Sequence, residues 1–582
     1  MIDKSPAGIA GLAVLLFCAP AAANDGPAAA PWSWTGFYAG AHAGAAAGLA
    51  SFTDPLGPPL FGGTVAAPGF LAGLQAGYNR QVAPQWVIGL EGEASLLAAT
   101  GSNTCLQSSS TINGSNCKVT PRELATLTGR LGFVTEPRGR TMLFGKAGVA
   151  WMRADVSVNP GNAVDSSEQG FLNEGINFSD TPDQAAPTSR SIGAWGWTAG
   201  AGVEHALSPA WSLKMQYDYL RFSGMSMATP QTNTVTDGGI VNNLPSSGPS
   251  GMTLDMHMFK LGLNFRFGAA AAPATGGPAT DGPATYGAGK SPAAPWVSGW
   301  EVETGTRYWY SWGKSQNQNA TATPTLSTNL VSRLTYEGVM GQSGELFARV
   351  DTPVDIFVKG FLGGGGLSNG KMYDEDWGLS STLSASPTAY EVTQSDVSGT
   401  LHYLTGDIGY SVARTRDHKV GLFVGYNLYK TAMNAMGCVQ LVNPASGVCA
   451  PPSPSTQNVI SQYDTWQSVR VGVAAETRVW DRLKIGADVA YLPYVAYTGL
   501  DIHQVRNPPA YFPVSGTGQG VQAEFMLSYQ TSDAFSFGVG GRYWGMWTNV
   551  AAQSDSPSNL FTVEAARYGM FVQASYKFNP AR

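Results

Sequence analysis

Residues 259–267, FKLGLNFRF, alternate strictly along an extended chain. Phe259, Leu261, Leu263, Phe265 and Phe267 share one face, and Lys260, Gly262, Asn264 and Arg266 the other. The stretch RYGMFVQASYKF does the same, with Tyr568, Met570, Val572, Ala574, Tyr576 and Phe578 on one side. An apolar outer face, a small or polar inner face and aromatic ends predict strands of a membrane-spanning β-barrel. A soluble β-sandwich explains the alternation, but not the regular exchange of long polar segments with very short turns. Eight such strands are predicted near 34–49, 69–80, 84–98, 121–136, 140–156, 191–206, 210–223 and 253–267. Ten more are predicted near 299–314, 329–351, 354–364, 396–413, 417–435, 464–479, 482–500, 517–531, 533–550 and 562–578.

The fold class expected is therefore all-β: two antiparallel transmembrane barrels, of about 8 and then about 10 strands. Between them, residues 268–295 read as an Ala/Pro/Gly linker without strand character. That linker argues against a single eighteen-stranded barrel. Even strand counts return each barrel's ends to the periplasm, so the linker and short turns fall there and the long loops outside. Several second-half strands exceed the roughly 9–11 residues a tilted strand needs to span, so this barrel should project some 15 Å or more from the bilayer.

Residues 1–23 carry a lysine, an apolar run from Ile9 to Phe17 and the small-residue site Ala21-Ala22-Ala23, as a secretory signal does. The expected divisions are thus a signal at 1–23, a first barrel at 24–267, the linker at 268–295 and a second barrel at 296–582. In an exported protein Cys105 and Cys117, and likewise Cys438 and Cys449, read as two loop disulfides. Neither pair has the spacing of a metal site, and none is expected. The net charge of −6 and the lack of a basic run give no sign of nucleic-acid binding.

Charged residues are only 13% of the chain, which makes GKMYDEDWG (370–378) unusual. The expected 365–395 loop places it outside. Asp374 and Asp376 stand at i and i+2, while Glu375 points the other way. Of six histidines, only His503 lies at an extracellular strand end, and Asp501 precedes it at the same spacing. An Asp–His pair facing an Asp pair across a barrel mouth can hold and deprotonate a water. Taken separately, D-x-D also describes a solvated loop or weak cation site, and D-x-H a plain surface pair.

The second half, roughly 299–578, resembles the omptins, ten-stranded outer-membrane proteases of Gram-negative bacteria. The resemblance runs through GTRYWYSWGKS (305–315), VSRLTYEG (331–338), MYDEDW (372–377), HKVGLFVGYNLY (418–429) and GLDIHQ (499–504). It implies an aspartic-type endopeptidase at the outer surface, with Asp374 and Asp376 as the aspartate pair and Asp501 and His503 as the dyad. His503 would be general base, Trp377 a structural neighbour and lipopolysaccharide an activator. Two pocket acids of that family are replaced here, by Asn317 and Gly499, which removes much of the attraction for Arg or Lys. The first half, through WSWTGFYAGAHAGAAAG (32–48) and FKLGLNFRF, resembles small eight-stranded barrels of the opacity or Omp25-like type, which implies a membrane anchor. Outer-membrane lipid, lipopolysaccharide and a peptide substrate are the partners expected. The competing expectation is a non-catalytic structural, adhesive or porin-like barrel.

Overall fold

The computed structural model describes residues 32–53, 63–108, 113–135, 139–159, 188–206, 210–227, 234–237, 240–243, 250–267, 299–323, 326–376, 391–415, 417–441, 449, 451–480, 482–553 and 559–578. The expected signal at 1–23, the linker at 268–295 and Trp377 lie outside these residues.

The first half contains β1 (Gly36–Thr53), β2 (Thr64–Ala83), β3 (Trp86–Ala99), β4 (Gly101–Ser108), β5 (Asn113–Val134), β6 (Thr141–Asn159), β7 (Thr188–Ala206), β8 (Trp211–Met227), a small hairpin of β9 (Thr234–Asp237) and β10 (Ile240–Asn243), and β11 (Ser250–Arg266). The sheet runs β3-β2-β1-β11-β8-β7-β6-β5, and a β3–β5 pairing closes it into a ring of eight. β4 continues β3 past Thr100 and pairs with the upper part of β5. The 99–120 segment, expected as a loop, is therefore largely a hairpin standing above the ring.

Inside this ring the polar faces of the strands meet. Lys214 Nζ lies 2.8 Å from Glu91, Arg130 2.8 Å from Glu204 and Lys260 2.7 Å from Asp218, all buried. Opposite charges so enclosed must be paired. They fill the lumen, as a barrel of this size requires.

The second half is a closed ring of ten: β12 (Glu301–Thr323), β13 (Leu326–Asp351), β14 (Ile356–Asp376), β15 (Glu391–Arg414), β16 (His418–Gln440), β17 (Ser453–Trp480), β18 (Leu483–His503), β19 (Ala510–Gln530), β20 (Phe535–Gln553) and β21 (Asn559–Phe578). Every strand expected from alternation is present, and 329–351 lies within one long strand. The upper ends run further than expected. Most consequential is β14: it continues to Asp376, so the acidic cluster ends a strand rather than sitting in a 365–395 loop.

Two bulges make that extension unreadable by simple alternation. Low in β14, Phe357 is buried inward while Val358 and Leu362 are exposed outward, so odd positions face the lumen. The pairing of β14 with β15 then slips one residue between Leu367 and Gly370, where Asn369 takes a left-handed φ of 59°. Above the slip, even positions face inward. β13 slips against β12 between Tyr336 and Val339, at Gly338 (φ 65°), and changes phase in step.

The lower half of the lumen holds charged pairs such as Arg542 with Glu345 (2.7 Å) and Arg470 with Asp407 (2.8 Å). Above them lies an aromatic floor. Trp309, Tyr403, Phe361 and Tyr429 pack around Trp544 with ring centroids 5.0, 5.2, 6.2 and 5.7 Å away. Gly363 is needed here, because a Cβ would meet the Tyr403 ring at 2.5 Å.

The rings stand side by side, joined through their outer faces. Ala45 of β1 is buried against Val521 and Ala523 of β19, and Phe70 meets Tyr491 at 5.6 Å. Toward the short-turn end Val203, Leu213 and Met215 pack on Val420, Ala475 and Ile485, and the His205 and His418 rings lie 3.6 Å apart.

Candidate active site

At the mouth of the second ring, the upper phase of β14 directs Asp374 and Asp376 inward, with Met372 below them in the buried core. β18 lies four staves away in a ring of ten, nearly opposite. Its last residues present Asp501 and His503 to the same space. His503 Nε2 is 3.1 Å from Asp501 Oδ2, and the imidazole rests edge-on against Phe512, with centroids 5.1 Å apart. A carboxylate at this distance fixes the orientation of the ring.

The two groups act on each other electrostatically. Burial, with the charges of Asp376 and Asp501, holds the Asp374 carboxyl well above the usual range. Burial also raises Asp376, against a hydrogen bond from Ser332 and the charge of His503. Both aspartates are half-buried. They lie twelve and fourteen residues above Leu362, the last strongly exposed apolar residue of β14. That is roughly 30 Å higher at about 3.3 Å per residue and a tilt near 40°.

Sequence reasoning did not single out three neighbours. Tyr336, inward on β13 above its bulge, is fully buried and feels Asp501, Asp464 and Asp374. Its hydroxyl and Asp501 Oδ1 are both buried without a hydrogen-bond partner among the described residues. Arg506, exposed just past His503, lowers both raised carboxyls. Asp464 on β17 pairs in register with Gly499. The VSRLTYEG motif contained Tyr336, but nothing marked its phase. Asp464 sits in no recognisable pattern.

Gly499 and Asn317 also line this mouth, Asn317 set between Leu334 and Val563. A Cβ on Gly499 would meet Tyr497 Oη at 2.0 Å. Tyr497 is buried and donates to Asp464 Oδ1 (2.8 Å), which also accepts from Gln462 (2.7 Å). A carboxylate at 499 has no room unless this network moves. Both disulfides form, with Cα–Cα distances of 5.6 Å for Cys105–Cys117 and 5.7 Å for Cys438–Cys449. Among the described residues, no group of three or more His, Cys, Asp or Glu is placed to hold a metal ion.

Two closed antiparallel rings with apolar outer belts and filled lumens define a membrane β-barrel protein. Comparison with known proteins specifies the membrane. Residues 9–267 match the outer membrane protein beta-barrel domain. The chain is 27% identical over 250 residues to the 31 kDa outer-membrane immunogenic protein of Brucella melitensis biotype 1, covering 41% of this chain and 88% of that protein. This is an outer-membrane barrel protein. Among solved structures it is similar to the outer membrane protease OmpT from Escherichia coli, at 14% identity and a TM-score of 0.39, over 48% of this chain and 97% of that one. It is also similar to Ail, the attachment invasion locus protein of Yersinia pestis, at 12% identity and a TM-score of 0.19, over 40% and 99%. These structural likenesses are too distant to bear on chemistry.

Proposed function

We propose that the second barrel is an endopeptidase that hydrolyses peptide bonds at its extracellular mouth. The observation that carries this is the His503–Asp501 pair, 3.1 Å apart, set nearly opposite the Asp374/Asp376 pair and within its electrostatic reach. In this reading a water sits between them. His503 takes its proton as the water attacks the scissile carbonyl, and Asp501 stabilises the imidazolium. The aspartate pair, sharing a proton because of its raised affinity, holds the water and carries a proton to the reacting oxygen or leaving amine. Aromatic and apolar side chains below keep the site dry from beneath.

With Asn317 and Gly499 where the resembled family carries acids, and Asp464 already hydrogen-bonded, the pocket offers little to a cationic side chain. Cleavage is proposed to favour neutral residues. Lipopolysaccharide is proposed as the activating lipid. The test compares cleavage of a broad peptide library by wild type and His503→Ala in lipopolysaccharide-containing membranes. Wild type should cleave, and the variant should be slower by about 10²–10⁴-fold. No cleavage by wild type, or equal cleavage by both, returns the barrel to a non-catalytic structural or adhesive role.

A further inference from the structure

Glu375, between the two aspartates, faces outward and is completely buried. What covers it is the first barrel. Thr104 of β4 places its hydroxyl 2.6 and 2.8 Å from the two Glu375 oxygens. Arg333, paired in register with Glu375 and equally buried, has Nε 3.8 Å from Oε2. Its Nη1 donates to Thr104 Oγ1 (3.1 Å) and Asn103 Oδ1 (3.4 Å), and its Nη2 to Asn116 Oδ1 of β5 (2.8 Å). On β12, Gln316 Nε2 donates to the same Asn103 oxygen (3.1 Å), and Gln318 Nε2 to Ser102 Oγ (2.6 Å). The Thr104 hydroxyl thus accepts from the guanidinium and donates to the carboxylate. The Cys105–Cys117 disulfide ties β4 to β5 one residue beyond Thr104 and Asn116.

A simple anchor needs no such socket. A charged pair buried between two barrels is strongly destabilising unless its donors and acceptors are met, and here the first barrel supplies the partners. The end of β14 stands far above the bilayer, where membrane packing no longer restrains it. Its outward face is gripped at the residue between Asp374 and Asp376. We propose that the first barrel is a positioning element for the second. Asn103, Thr104 and Asn116, acting through Arg333 and Glu375, fix the strand end that presents the aspartate pair to His503. This rests on the peptidase reading for its catalytic consequence, but the mechanical contact can be tested without it.

The experiment uses the full chain in lipopolysaccharide-containing vesicles. Thr104→Val removes the relaying hydroxyl at nearly constant shape, and Thr104→Ser keeps it. Three quantities are read: kcat and KM on a cleaved peptide, the pH profile of kcat/KM, and amide hydrogen exchange at 371–376. Thr104→Val should lower kcat about tenfold with KM within about twofold, because loss of alignment is felt mainly in the transition state. Its acidic limb should move to lower pH as the loosened pair hydrates, exchange at 371–376 should rise, and Thr104→Ser should restore all three. If Thr104→Val fails to insert, Asn116→Ala carries the same test. Wild-type exchange and pH profile in a folded variant would overturn the proposal. If wild type cleaves nothing yet exchange responds to Thr104→Val and recovers in Thr104→Ser, the peptidase reading falls and the positioning contact stands.

Discussion

At the scale of single residues, burying the aspartate pair costs the fold free energy. Both carboxyls have folded pKa values above their unfolded ones. Protonation therefore favours the native state, and stability falls as pH rises from the ordinary carboxylate range through the raised values. Asp374→Asn and Asp376→Asn should each raise the unfolding temperature at neutral pH while abolishing cleavage. That gain should vanish below about pH 4, where the wild-type carboxyls are protonated in both states. Thermal unfolding in detergent at pH 4 and pH 7 checks this; a gain that does not depend on pH would show another origin. Tyr336→Phe tests whether the buried hydroxyl takes part: kcat should fall by about tenfold with little change in stability, since no partner among the described residues is lost. The Asp and His residues were legible because two i, i+2 pairs stood out in a weakly charged chain. Tyr336 and Asp464 were not, because their roles depend on strand phase and on cross-strand neighbours that local sequence does not encode.

At the scale of elements, strand phase decides the chemistry. In β14 the run GFLGGGGLSNG hides the alternation that is plain in FKLGLNFRF, since four glycines carry no apolar signal and the bulge at Asn369 reverses the phase of residues 370–376. That is why the acid cluster looked like a loop tip. A one-residue shift moves every side chain to the other face. Asn369→Ile, which disfavours the left-handed bulge without changing the strand's length, should therefore turn Glu375 into the lumen and both aspartates outward. The belt-forming part of β14, 356–367, lies below the change, so the variant should still run as a folded barrel in a heat-modifiability gel while cleaving nothing. Retained cleavage would mean that the bulge does not set the phase. Asn369 also suits its conformation, since Asn tolerates the left-handed region where a β-branched residue is strained.

At the scale of the molecule, the two barrels and their strand numbers could be read from periodicity and parity, but their association could not. Its members, Thr104 with Glu375 or Ala45 with Val521, are hundreds of residues apart and follow no repeat. The flank uses small residues so that two outer faces approach closely, as helices do in lipid. Ala45→Phe should wedge the faces apart at a cost of about 1–3 kcal/mol. Energy transfer between dyes on the upper rims of the two barrels should then fall while each barrel stays folded; unchanged transfer would argue that the flank is not tightly packed. The aromatic layer around Trp544 has a consequence for traffic across the envelope. A polypeptide that enters the mouth meets a wall of rings and ion pairs, so it can reach the site only as a loop or frayed end dipped in from above. On the peptidase reading, fragments would leave by the route they came. The cell surface would be defended or remodelled by such a protein, and nothing it cuts would be delivered inward as food.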